Sequence, residues 1–262
     1  MTDVIMNAIL ETQGLSKRFG GLYAVKNVDM SIMPGRIHGL IGPNGSGKST
    51  FINVVTGVYT PTAGRIVFKN EELPNERAFV RMGRGIARTF QTARLFHDLS
   101  VLQNVMVGAH CRMSCGIAQV LLRTKGMVRE ETQLQERAEY WLDFVGYDGQ
   151  IHRKAKELAL VPRRLVEIAR ALISEPEVLF LDEPAAGMNS EEKLRLMELI
   201  RRIGELGIAV VAVEHDMKVI MGICDVITVL NFGTKIAEGT PTEIQMNQAV
   251  VEAYLGEVDK HA

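Results

Sequence analysis

The stretch Gly42-Pro-Asn-Gly-Ser-Gly47-Lys48-Ser49-Thr50 constrains this 262-residue chain more than any other. It follows a short apolar run, Ile37–Ile41, and precedes a segment of helical character that starts near Lys48. A strand that ends in glycines spaced G-x-x-x-x-G-K-S and turns at once into a helix is a phosphate cradle. The glycines let the backbone bend until successive N–H groups point inward, and the helix N-terminus adds partial positive charge. Lys48 brings a full charge to the β- and γ-phosphates of a nucleotide, and the Ser49 hydroxyl can ligate Mg²⁺. The expected nucleotide contacts are therefore Gly42, Pro43, Asn44, Gly45, Ser46, Gly47, Lys48, Ser49 and Thr50. From average residue usage, this spacing of two glycines, a lysine and a hydroxyl residue arises by chance in about one chain in a hundred of this length. The strand before it and the helix after it lower that further.

Two further strand ends carry polar chemistry. Val178–Leu181 is apolar and runs into Asp182-Glu183. Most Asp-Glu pairs are solvated turns. Behind a buried strand, in a chain with a phosphate loop, Asp182 is expected to hold Mg²⁺ directly or through water, and Glu183 to polarise the attacking water. Ile208–Val213 runs into Glu214-His215-Asp216, where His215 can donate to a γ-phosphate oxygen and register its loss after cleavage.

Continuous apolar runs separated by helical patterns predict an α/β sheet covered on both faces. Residues 190–203 have apolar positions at helical spacing, with Ser190, Glu191 and Glu192 as the start. Around 8–36, Val25, Val28, Met30 and Ile32 stand among Gly and Pro punctuation, as in antiparallel strands, and Ile66–Phe68 is expected to pair there. The middle, 92–170, shows no strand pattern. Its run 129–145 sets Leu134, Ala138, Trp141, Leu142 and Val145 on one side, predicting a helical insert.

Composition closes off other classes. With 47% apolar residues the chain can build its own core. The balance of 30 basic against 31 acidic side chains gives none of the basic excess of a nucleic-acid binder. Cys111, Cys115 and Cys224 are too few and oddly numbered for a disulfide framework, which suits a reducing compartment. Cys111 and Cys115 with His110 lack the ligand number of a metal site. The N-terminus has no signal-peptide pattern, and the longest apolar stretches, Ile208–Val213 and Val219–Leu230 with its Asp225, fall short of the ~20 residues of a membrane span. If this protein acts at a membrane, another chain must cross it.

Phosphate loop, Gln91 in Arg88-Thr-Phe-Gln-Thr, Asp182-Glu183 and His215 together resemble the ABC ATPase family, in its order and approximate spacing, over nearly the whole chain. The resemblance implies a P-loop NTPase core with an antiparallel β subdomain and an inserted helical subdomain. It makes 8–256 one domain, with core about 8–91 and 171–256 and insert about 92–170. It implies ATP and Mg²⁺ as cofactors, a place for Gln91 in both hydrolysis and metal coordination, and Phe19 as the adenine-stacking aromatic, with Tyr23 competing. Gly85–Phe96, Glu183-Pro-Ala-Ala-Gly-Met-Asn189 and the tail Glu238-Gly-Thr-Pro-Thr-Glu-Ile with Ala253-Tyr-Leu-Gly256 are similar to the branched-chain amino-acid importer ATPases, the larger of their two ATPase subunits. Urea and amide importers share these features. The implied partners are a second ATPase subunit (the same chain or another), two transmembrane permease subunits and, indirectly, a periplasmic solute-binding protein. The implied location is the cytoplasmic face of a bacterial inner membrane, with Leu95, Phe96 and Val101 as candidates for permease contact. The rival readings are an ATP-holding regulatory module and a soluble ABC ATPase acting on DNA or ribosomes. Retained Glu183 and His215 argue against the first; absence of a coiled-coil insert, a duplicated domain or basic excess argues against the second.

One segment departs from the family. Where Leu-Ser-Gly-Gly-Gln is expected before Glu167-Ile-Ala-Arg170, this chain has Leu158-Ala159-Leu160-Val161-Pro162. The serine hydroxyl is gone, Val161 replaces a glycine, and Pro162 removes an N–H, though it suits a helix start. Each hydrogen bond lost to a charged phosphate is worth about 1.5–3 kcal/mol. In ABC dimers this segment completes the partner's site, so the expectation is asymmetric: Lys48, Asp182, Glu183 and His215 work under a partner's signature, and the site capped by Leu158–Pro162 is weak.

Overall fold

Alternation along the central strands explains how one sheet separates two cores. In a computed structural model that describes residues 7–91, 94–110 and 125–258, Val178 and Phe180 point to one side and Leu179 and Leu181 to the other, all buried. Ala209, Val211 and Val213 oppose Val210 and Ala212 in the same way. A period of two with both faces covered gives a parallel strand its unbroken apolar reading, and each large side chain so buried contributes about 1.5–3 kcal/mol.

The chain begins with β1 (Leu10–Phe19), β2 (Leu22–Ile32) and β3 (Ile37–Ile41), then α1 (Lys48–Val55), β4 (Ala63–Phe68) and the two-residue β5 (Glu71–Glu72). β1 pairs antiparallel with β2 and with β4, Leu10 lying opposite both Ile32 and Phe68. These form a sheet of order β2-β1-β4-β5, which contains the expected antiparallel segment and its Ile66–Phe68 partner. Then follow α2 (Ala78–Arg84), β6 (Ile86–Arg88), α3 (Val101–Val107), α4 (Lys125–Phe144), a 3₁₀ turn at Ala155–Glu157 and α5 (Leu160–Leu172). The second half adds β7 (Val178–Asp182), α6 (Ser190–Glu205), β8 (Ala209–Val213), α7 (Met217–Ile223), β9 (Val226–Asn231), β10 (Thr234–Gly239), α8 (Pro241–Met246) and α9 (Gln248–Val258). The main sheet has the order β10-β9-β3-β8-β7-β6, parallel except for the β9–β10 hairpin. α1 and the antiparallel sheet share one core with it; α3, α4, α5 and α6 share the other.

α6 begins at Ser190 as expected, but its cap is Asn189. The Asn189 side chain accepts from the Glu192 N–H, and Glu192 accepts in return from the Asn189 N–H. Leu134, Ala138, Leu142 and Val145 are buried as read, with Trp141 packed against them. The apolar stretch 219–230 holds parts of both α7 and β9, divided at Cys224-Asp225. There Asp225 accepts from the Ile37 N–H at 2.8 Å and from Arg36 at 2.9 Å, fixing the start of β3. Leu95 and Val101, two of the candidates for permease contact, are buried core residues; Phe96 alone of the three is exposed. Cys111 and Cys115 lie outside the described residues.

Behind α1, Arg81 of α2 is buried at 1% exposure. It donates to the Val54 carbonyl at 2.8 Å and to the Val55 carbonyl at 2.5 Å, a cation on the C-terminal end of the helix dipole.

Candidate active site

The parallel strands deliver their C-terminal ends to one edge. Leu40 and Asp182 both stand in register with Val213, and Arg88 with Phe180. The segments after β3, β6, β7 and β8 therefore gather there, as ligand-binding loops do in open α/β sheets. These segments carry Gly42–Thr50, Gln91, Asp182-Glu183 and His215.

The loop between β3 and α1 has the shape its glycines allow. Gly42, Gly45 and Gly47 have φ of +147°, +75° and +106°. A Cβ at Gly42 would lie 2.0 Å from the Leu230 carbonyl oxygen, and one at Gly47 would lie 2.3 Å from that of Ala24. Glycine is required at both by contact as well as by torsion. Lys48 Nζ donates to the Gly42 and Pro43 carbonyls at 2.6 and 2.8 Å and reaches Ser46 Oγ at 3.4 Å, so its ammonium sits within the loop. No side chain caps the N-terminus of α1, and Ser49 in its first turn is exposed. An anion can take the capping position.

Around the β7 terminus, Asp182 is 7% exposed and its N–H donates to Thr89 Oγ1 at 3.3 Å. Burial pushes its carboxyl upward, opposed by the Arg88 guanidinium 3.5 Å away. Arg88 is itself held by Asn53 and Thr56 at the end of α1. Glu183 follows with φ +47°, a left-handed conformation unusual for a non-glycine residue, and its N–H donates to the Val213 carbonyl at 2.8 Å. Gln91 Nε2 donates to Glu183 Oε2 at 2.9 Å, and His215 Nδ1 lies 3.9 Å from the same oxygen. Glu214, 1% exposed, accepts from the Ala185 N–H at 2.6 Å, and its other oxygen lies 4.0 Å from His215 Nδ1. Burial raises its pKa. A carboxylate, a carboxamide and an imidazole thus converge on one point beside the phosphate loop. Such a group can orient a water and read the charge on a terminal phosphate.

The oxygen donors available here suit a hard cation held chiefly by substrate phosphates, which needs one carboxylate and a hydroxyl rather than an acidic cage. Asp182, Ser49 and the Gln91 amide oxygen are the residues whose chemistry fits such a donor set. Among the described residues no cluster of three or more His, Cys, Asp or Glu could hold a metal by itself.

The family model for the ABC transporter ATPases matches residues 25–186, more than half of the chain. The chain belongs to the ABC transporter ATP-binding family. It binds ATP and hydrolyses it in a reaction coupled to transport. A second model, described as the branched-chain amino acid ATP-binding cassette transporter, matches residues 234–260 of this ATPase subunit. It is 43% identical over 253 residues to LivG of Escherichia coli K12, a high-affinity branched-chain amino acid transport ATP-binding protein, covering 95% of this chain and 98% of LivG. The ADP conformation of an ATP-binding cassette of an ABC transporter superposes with TM-score 0.82 and 33% identity, over 95% of this chain and 99% of that one. A dimeric cassette in a post-hydrolysis state with ADP and phosphate gives TM-score 0.75 and 25% identity, over 88% and 98%.

The other expected residues lie further out. Phe19 ends β1, is 46% exposed, and meets Tyr59 edge-on at 5.3 Å, with Lys17 Nζ 5.1 Å from its ring centre. Tyr23, on β2, lies under Arg18 at 5.9 Å. Tyr59 has no pattern of its own in the sequence. The segment 158–162 enters α5 with Ala159 at the cap position and no side-chain cap bond; Pro162 falls in the first turn, where no intrahelical N–H is needed. Leu160 is exposed and packs over Gly187, in the segment after Glu183. Sequence reading also gave no role to Arg88, Thr89 and Glu214. All three stand next to motif residues in the chain, but their partners are distant in sequence.

Proposed function

We propose that this subunit is one of two ATPases beneath a pair of permease subunits in an importer for branched-chain or related amino acids, at the cytoplasmic face of a bacterial inner membrane. Urea or amides are the neighbouring substrate class, and a periplasmic binding protein supplies the solute. We read residues 8–256 as one domain whose insert, 92–170, faces the permeases. Among the described residues no helix is long and apolar enough to cross a membrane. A groove lined by Met82, Phe90, Phe96 and Val107, beside the Gln91 loop, supports that face as the dock.

The observation that carries the reading is the Gln91–Glu183 hydrogen bond of 2.9 Å, which joins the loop leading into the insert to the carboxylate this reading assigns to activating water. ATP lies with its phosphates in Gly42–Thr50 and its adenine against Phe19. Lys48 pairs with the β- and γ-phosphates. Ser49, Asp182 and Gln91 would hold Mg²⁺, which would neutralise phosphate charge. Glu183 takes a water proton while Gln91 fixes one of its oxygens, and His215 donates to the γ-phosphate. Closure of the two ATPase subunits over ATP stores the differential contacts that hydrolysis releases.

The second ATPase is a different chain in this reading, because Leu158–Pro162 offers neither hydroxyl nor glycine to a nucleotide held opposite. Steady-state ATPase activity of the chain alone and mixed with its partner ATPase, each beside a Glu183→Gln control, tests this. Activity confined to the mixture and lost in the control is expected. Strong hydrolysis by this chain alone would make Leu158–Pro162 a working signature and remove the asymmetry.

A further inference from the structure

α5 carries Arg164, Glu167 and Arg170 three residues apart, so all three lie along one helix face. Their side chains are 5%, 1% and 15% exposed. The row does not pair off within the helix alone. Arg164 Nη1 donates to the Phe90 carbonyl at 2.7 Å and Nη2 to the Gln91 carbonyl. Glu167 Oε1 accepts from the Phe90 N–H at 3.0 Å, and its Oε2 accepts from Arg164 at 3.3 Å. Arg170 donates to the Arg94 carbonyl at 2.6 Å and lies 3.9 Å from Glu167. The helix thus grips the main chain on both sides of Gln91.

Two features separate this from ordinary packing. Burying an ion pair costs desolvation that an apolar pair of the same volume would not, so the row is a poor choice for stability alone. Every bond it makes to the loop is also to backbone, which fixes where the Gln91 side chain emerges without constraining what that side chain does. The side chain is left to reach Glu183. α5 itself starts from Leu158–Pro162, two to six residues before Arg164.

We propose that Arg164, Glu167 and Arg170 are positioning residues for Gln91. They tie α5 to the main chain at Phe90, Gln91 and Arg94, so that a displacement of the signature segment changes the Gln91–Glu183 contact. The proposal rests on the role of Gln91 given above and names the residues that control it.

The test uses the assembled transporter for turnover and the full-length subunit for amide exchange, with Glu167→Gln and Arg164→Gln each alone and combined with Gln91→Ala. Exchange of the Phe90 amide and of residues 88–91 is expected to rise about tenfold or more, while β7 and residues 165–172 stay protected. ATP turnover is expected to fall about tenfold in each single variant, and the same substitutions are expected to add less than about twofold once Gln91 is alanine. Unchanged exchange at 88–91, or independent multiplication of the two effects on turnover, overturns the proposal. If Gln91→Ala alone leaves turnover unchanged, the role of Gln91 itself is wrong, and the grip is judged by exchange alone. Should Glu167→Gln unfold by stranding Arg164, the joint replacement Arg164→Met with Glu167→Leu removes both charges and both grips together and takes its place.

Discussion

Replacing His38 by glutamine is expected to remove much of the acid sensitivity of this fold. His38 is the second residue of β3, the strand that feeds the phosphate loop, and is 4% exposed. Its Nε2 lies 2.9 Å from Thr228 Oγ1, and that hydroxyl donates to Glu238 Oε2 at 2.7 Å, so the imidazole is the donor toward Thr228. Burial lowers its pKa from 6.5 to about 4, with Glu238 opposing and Lys235 adding to the shift. In the unfolded chain the same ring binds a proton near pH 6.5. Between pH 6.5 and 4 the unfolded state therefore holds more protons, and stability falls as pH falls through that window. The fall from 6.5 to about 4 corresponds to a loss of roughly 3 kcal/mol below pH 4, and about 2 kcal/mol at pH 5. Glutamine keeps a donor for Thr228 and does not titrate. Urea unfolding of both proteins at pH 7.5, 6 and 5 isolates this group, because the remaining titrations are shared. The variant should gain about 2 kcal/mol on the natural protein between pH 7.5 and 5. A difference that stays constant over that range would refute the reasoning.

Other outcomes follow from the site. Glu183→Gln should cut hydrolysis by about 10²-fold or more while ATP still binds, read by turnover beside equilibrium nucleotide binding. Gly47→Ala sets a Cβ 2.3 Å from the Ala24 carbonyl at φ +106° and should abolish nucleotide binding, with loss of about 1–3 kcal/mol in unfolding free energy if the chain still folds. With Glu183→Gln silencing this chain's own site in the mixture with its partner ATPase, the triple change Ala159→Ser, Val161→Gly, Pro162→Gln should raise the residual hydrolysis by about tenfold for each hydrogen bond regained to the opposite nucleotide. No increase would mean that Leu158–Pro162 does not face a nucleotide.

What the sequence disclosed were features written within a few residues. The phosphate loop, the apolar β7 ending in carboxylates and the amphipathic α6 each declare themselves inside one short window. β6 is three residues long, and β9 hides in an apolar run whose first part is helix, so neither presented a period to read. Burial of Val101 comes from α3 docking on α4 and α5, and Leu95 joins the same core from the segment before α3, which no local pattern contains. Arg164 and Glu167 carry no local pattern that marks them. Their partners are backbone atoms more than seventy residues earlier.

Arg81 gives α1 an orientation in space as well as a dipole. The helix whose front receives phosphates is moored at its rear, through the Val54 and Val55 carbonyls, to a guanidinium rooted in α2. A rod moored at one end cannot slide along its own axis. Asn53 and Thr56, which hold Arg88 beside Asp182, lie next to that mooring, so the rear of α1 is tied to the carboxylate side of the site as well as to α2. The mooring stands at the opposite end of α1 from the phosphate loop, and Arg88, held at that end, reaches back to the carboxylate at the end of β7.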